Sequence, residues 1–341
     1  MRGRLGTLGL SLACVLSLLS ACEKKKRPRG PSPEVTGLAA VPATAQAVIA
    51  ADVRALADAQ IVARAIDRLL RQDLALRDRW ADLQQHCKLD VPAQVRHVML
   101  ALGPSDGAAG SGPVVMIATG TLSEAELVAC IPKVVGTGGG GLTTKTVAGQ
   151  SLYQVKDGQR VVYFAFRRPD MVVLGTRDTW VSEALGAGKK ALDDPELARH
   201  LARADQDAPL WAVGRVDPRV GQGLVAASGG KLSEAPAAIV GAVDPREGAR
   251  LDLGVVMASA EAAKALESFA RAELAIAATA ARLTSIGSLV DKLGISTDGP
   301  LVRFRASLTQ AEVNQLLSVL DETPGPEQGT PPPAKSESDT K

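Results

Sequence analysis

Three apolar runs, Leu152-Tyr153-Gln154-Val155, Val161-Val162-Tyr163-Phe164-Ala165-Phe166 and Met171-Val172-Val173-Leu174-Gly175, follow one another with only short polar links between them. The first link carries Asp157-Gly158 and the second Arg168-Pro169-Asp170, both strong turn signals. A parallel pair needs a crossover of a dozen or more residues, and neither link has room for one. The chain is therefore committed to antiparallel pairing, and any helices must pack onto a sheet formed in that way.

The rest of the sequence supplies those helices. Ala47 to Ala51 reads as a strand ending at Asp52, and Leu56, Ile66, Leu69, Leu70, Leu76, Trp80, Leu83 and Cys87 then form an interrupted helical stripe. Arg64, Asp67, Arg68, Arg71 and Arg77 supply its polar side. Strands at His97 to Leu102 and Val114 to Thr119 follow, then a helix from Ser123, with Glu126 placed for a capping box. Two short helices, from Thr179 to Leu185 and from Pro195 to Ala204, close the first half.

A similar order begins again at Pro209. Strands at 209–216, 237–242 and 249–259 precede a long Ala-rich helix at Ala260 to Leu293, a strand at Leu301 to Ala306 and a final helix from Gln310 to Leu320. The expected class is α+β, with mostly antiparallel sheets and helices packed on one face. The shared order of elements fits two diverged repeats of one unit, and it can also arise by chance in an α+β chain. The boundaries read as a leader at 1–21, a disordered basic and Pro-rich tether at 22–42, a first domain at 43–206, a second at 207–321 and a disordered Pro-rich tail at 322–341.

The leader has the three parts of an export signal: Arg2 and Arg4, an apolar stretch from Leu8 to Leu19, and small residues before Cys22. It is shorter than the roughly 20 apolar residues of a spanning helix. Leu19-Ser20-Ala21-Cys22 resembles the lipobox of bacterial lipoproteins, and the resemblance implies lipid on the Cys22 thiol and loss of residues 1–21. Glu23 is not the aspartate that resembles an inner-membrane retention signal, so the periplasmic face of the outer membrane is the expected location. The body resembles uncharacterised predicted lipoproteins of GC-rich Gram-negative bacteria, which implies envelope residence and no catalytic residues.

Removal of Arg2 and Arg4 with the leader lowers the 39 basic residues to 37, equal to the 37 acidic ones. Nucleic acid is not an expected partner, because displacing phosphate counterions needs a basic surplus. The local surplus at Lys24 to Arg29 can lean on anionic headgroups or act as a solvated spacer. With Cys14 lost and Cys22 acylated, Cys87 and Cys130 remain in an oxidising compartment and are expected to pair. Aromatic residues make up only 3%, and Trp80, Trp180 and Trp211 are expected in the core rather than on a stacking platform.

Chemical motifs fail on context. Gly136 to Gly141 lacks a following Lys-Ser/Thr, and Gly186-Ala187-Gly188-Lys189-Lys190 has Glu183 and Lys190 where a phosphate loop needs Gly and Ser or Thr. His86, His97 and His200 are too dispersed for a zinc site, with only Cys87 beside His86. Gly103-Pro104-Ser105-Asp106-Gly107 matches Gly-x-Ser-x-Gly in letters but falls in a Gly-, Ser- and Pro-rich loop between two strands rather than at the strand-to-helix turn of a nucleophile elbow, and Asp193-Asp194 reads as a helix start. Arg303 and Arg305 share a strand face and either pair with acids or contact an anion. No metal, cofactor or catalytic residue is expected, and the chain reads as a non-enzyme. The leading expectation is a lipid-anchored binding or scaffolding protein with an envelope protein partner. The alternative is a periplasmic carrier of an apolar ligand such as a lipid, held between the sheet and the helix at 260–293; an enzyme with scattered catalytic residues is a further one.

Overall fold

The computed structural model describes residues 31–105, 112–136, 139–147, 149–281 and 287–322. The leader, Cys22, the basic cluster and the tail beyond 322 lie outside these residues. The body starts earlier than the tether reading places it. Helix α1 (Pro33–Thr36) ends at Gly37, which sits at φ 89° where a Cβ would approach Ile117 Cγ2 to 2.7 Å. A 3-10 turn at Leu38–Ala40 follows, and Leu38, Ala40 and Val41 are buried. Pro and Gly, read as tether residues, here make a tight turn that lets small apolar side chains reach the sheet.

The first half comprises β1 (Ala47–Asp52), α2 (Val53–Ala57), α3 (Gln60–Gln72), α4 (Leu74–Cys87), α5 (Val91–Gln94), β2 (Val95–Leu102), β3 (Val114–Gly120), α6 (Glu124–Val135), β4 (Gly141–Val147), β5 (Gln150–Asp157), β6 (Arg160–Arg168), β7 (Met171–Gly175), α7 (Asp178–Leu185) and α8 (Pro195–Leu201). The second comprises β8 (Leu210–Arg215), α9 (Pro218–Ala227), β9 (Ala238–Asp244), β10 (Ala249–Val256), α10 (Ala260–Ala281), α11 (Gly287–Val290), β11 (Gly294–Asp298), β12 (Leu301–Leu308) and α12 (Gln310–Glu322).

All twelve strands join one sheet in the order β11-β12-β10-β9-β8-β1-β2-β3-β7-β6-β5-β4. Every pairing is antiparallel. The α+β class and the antiparallel sheet therefore stand. Outward from the central β1·β8 pair, the strand order is 1-2-3-7-6 on one side and 8-9-10-12-11 on the other. The two halves thus share a topology, with β4 and β5 extending the first. At the centre Val48 faces Val213 and Ala50 faces Trp211, so the sheet runs unbroken through both halves.

Helices cover both faces rather than one. The reason is visible in β7, where Met171 and Val173 are buried against one core while Val172 and Leu174 join another on the opposite side. A strand apolar at every position needs a cover on each face. One face packs α1, α7 and α8 through Trp180, Val181, Leu197 and Leu201. The other carries α6 over the first half, and α10 over the second through Ala262, Ala263, Ile295 and Val302.

Aspartates and one serine open many of the helices. Asp52, Asp73, Asp90 and Ser123 accept backbone N–H groups of Ala55, Leu76, Ala93 and Glu126. Asp194 accepts from both Glu196 and Leu197, the orphan donors of a first turn.

Candidate functional site

The described part of the Ala-rich helix packs against a filled core. The inner side of α10 is closed by Met257, Ala263, Ile295 and Val302, each at most 7% exposed. The apolar space lies instead over the first half, between α4, α6 and the sheet. Its volume is about 810 Å³, within the roughly 300–1,000 Å³ of small-molecule pockets.

Sequence periodicity explains its walls. On α4, Ala75, Leu76, Trp80 and Leu83 recur at helical spacing and turn toward the sheet. On α6, Leu127, Ile131, Val134 and Val135 do the same. The floor is the alternate set of strand residues, including Val98, Met116, Ala118, Phe164, Val172 and Leu174. Phe164 stacks on Tyr153 at a centroid distance of 4.7 Å. The Tyr153 hydroxyl donates to Glu124 at 2.8 Å, tying the start of α6 to β5.

What keeps the space open is a roof helix held at points rather than packed along its length. No residue of α4 is buried. Its C-terminus is joined to α6 by a Cys87–Cys130 disulfide, with the Cα atoms 5.2 Å apart. Its middle is held by Arg79, which donates to the Val134 carbonyl at 3.1 Å and to Asp157 at 2.7 Å. Such spacing leaves a gap that the side chains facing it do not fill.

Polar lining is confined to Arg79, Asp157, Gln159 and Arg160, gathered where the β5–β6 turn meets α4. Leu76 and Val162, each 38% exposed, line the same opening. The cavity is therefore amphipathic, with an apolar interior and a mouth bearing two guanidinium groups and one carboxylate.

Of the tryptophans, Trp180 and Trp211 are core residues at 6% and 5% exposure, whereas Trp80 is a cavity wall. His97 and His200 are buried and His86 is exposed. Among the described residues no group of three or more His, Cys, Asp or Glu side chains is placed to hold a metal ion. Arg303 and Arg305 both bind Asp252, at 2.7 and 3.0 Å.

Arg305 and Asp252 border a second cleft of about 640 Å³ that is also lined by charges such as Asp207, Arg246 and Lys292. Several of its charges are already paired, Arg305 with Asp252 and Lys292 with Glu312 outside the cleft. Asp244 takes Arg246 and Arg250 at 2.7 and 2.6 Å, and hydrogen bonding from Arg246 first of all holds its carboxyl well below the usual range.

No protein-family model matches this chain, and no curated protein sequence matches it significantly. Among solved structures, crystal form I of TP0453 is similar at 12% identity and a TM-score of 0.44, covering 83% of this chain and 96% of that one. Among the described residues no helix is long and apolar enough to cross a membrane.

Proposed function

We propose that this protein is a lipid-anchored envelope lipoprotein whose body binds a single-headed anionic amphiphile, the apolar chain lying between α4 and α6 and the head at the Arg79–Arg160 mouth. The observation that carries the reading is the 810 Å³ apolar cavity. An unfilled apolar space of that size costs stability, because its lining lacks dispersion contacts. An apolar ligand restores those contacts and removes its own surface from water. Arg160 supplies a cation at the opening, while Arg79 is held by Asp157. Lipid on Cys22 would keep the body within reach of membrane-derived ligands. The binding role is non-catalytic, and a protein partner that delivers or receives the ligand fits the same arrangement.

The test uses the mature chain from Glu23 onward, exported so that the Cys87–Cys130 bond can form. A dansyl-labelled fatty acid is titrated into it and into an Ala118→Phe variant. Ala118 lies on the cavity floor at 4% exposure, so the larger ring occupies the ligand space. Saturable binding weakened at least about tenfold in the variant, equivalent to about 1.4 kcal/mol, is the expected result. Equal binding to both proteins, or none to either, overturns the proposal. Loss of membrane association and of acyl mass in Cys22→Ala cells tests the anchor separately.

A further inference from the structure

The helix α3 stands apart from the core. Ile61, Val62, Ala65, Ile66, Leu69 and Leu70 occupy one continuous arc, while Gln60, Arg64, Asp67, Arg68 and Arg71 occupy the other. An arc of this kind ordinarily faces a core. Here no residue of α3 is buried, and Ile66 and Leu69 are 50% and 52% exposed. The helix packs against its neighbours α2 and α4 and touches α12 through Gln60 and Gln310. Leu74, at 56%, continues the exposed strip into the start of α4.

The polar arc carries three arginines against one aspartate. By composition the helix carries a net charge of +2, with Arg64, Arg68 and Arg71 against Asp67, and Asp67 and Arg71 are bridged at 2.9 Å. A large apolar arc beside an arginine-rich polar arc, on a helix of low overall hydrophobicity, is the composition of a helix that lies in a bilayer interface. Both features point to the same occupant: apolar residues for the acyl boundary and guanidinium groups for anionic headgroups.

We infer that α3, with Leu74, is a docking element for an anionic bilayer surface, seating the body on the membrane independently of the lipid at Cys22. The docking itself does not depend on whether the cavity holds a ligand.

The experiment is flotation of the non-acylated mature chain, from Glu23 onward, with vesicles of phosphatidylglycerol and phosphatidylethanolamine or of phosphatidylcholine alone. The chain should float with the anionic vesicles, and Ile66→Asp/Leu69→Asp should lower that fraction at least about tenfold. The basic residues at 24–29 are unchanged in that variant, so their contribution cancels. A Leu69→Trp variant provides a second reading, since its fluorescence should be quenched by acyl-brominated lipids beyond the quenching of the unaltered chain. Equal flotation of variant and parent, absence of flotation with anionic vesicles, or a dimer in sedimentation that Ile66→Asp/Leu69→Asp converts to monomer overturns the inference. Fatty-acid binding by the same variant distinguishes failure of docking from failure of the cavity reading.

Discussion

Removing the Cys87–Cys130 bond should loosen one helix far more than the sheet below it. The bond closes a segment with a sequence separation of 43 residues. In the chain-entropy account a loop of that size stabilises the folded state by about 4 kcal/mol at 25 °C. With a urea slope of about 3 kcal/mol per molar, a Cys87→Ala/Cys130→Ala variant should unfold at a midpoint lower by about 1.3 M. The local effect is sharper. Without the bond, α4 has no buried residue to hold it, and the Arg79–Asp157 pair is about one-third exposed on each side. A pair so exposed contributes about 0–1 kcal/mol. Hydrogen exchange followed by mass spectrometry should therefore show amides of 74–87 exchanging much faster in the variant, with β1, β2 and β3 changed only in step with the global loss. A midpoint shifted by less than about 0.3 M, or unchanged exchange across α4, would refute the reasoning that this bond holds the cavity roof in place.

Burial, the largest influence on both groups, pushes the imidazoles of His97 and His200 below their ordinary 6.5. The unfolded chain then binds more protons below that value, so stability is full above pH 6.5 and falls as the medium is acidified; melting temperatures between pH 7.5 and 5 should show the decline. Among the described residues neither ring nitrogen of His200 has a hydrogen-bond partner, and Glu196 at 3.8 Å is too distant to provide one. His200→Leu should consequently flatten the pH dependence and raise the melting temperature. Asp194→Ala removes the Oδ1 acceptor of two first-turn N–H groups and the 2.6 Å contact to Arg215, and should cost about 2 kcal/mol in urea unfolding. Gly120→Ala would drive a methyl group into the Gln94 carbonyl oxygen and to 3.0 Å from the Val95 Cα, which should destabilise by more than about 2 kcal/mol because backbone rather than a side chain must move.

The strands were legible because turn chemistry and apolar runs are local. Asp157-Gly158 places a hairpin, and Gly158 adopts φ 59° there. Elements hidden inside a longer pattern were not. β11 begins immediately after the segment at 260–293 read as one Ala-rich helix, and its partner β12 is what makes it a strand. Helix α9 escaped notice because Gly221 and Gly223 lower its helical propensity. Gly221 is there for space, since a Cβ would come within 2.8 Å of Ala235 Cβ. The cavity was the least readable feature. The same periodicity on α4 describes a helix packed tightly on a sheet and one held off it, and only the tertiary restraints at Cys87 and Arg79 separate the two. The apolar arc of α3 was likewise visible as a pattern, but its exposure among the described residues was not.

The β1·β8 pair has a consequence for any attempt to divide this chain. Each outer margin of the sheet is guarded: β11 has only five residues, and β4 exposes Lys145 among threonines. Neither β1 nor β8 has such protection, since both are free of proline and lined with Ala, Val and Ile or Trp. A fragment cut near residue 207 would bare one of them as an open hydrogen-bonding template. Because β1 and β8 run antiparallel, two copies of either fragment could close that template on each other about a twofold axis. Separated halves should thus appear as self-paired dimers or aggregates rather than as soluble monomers.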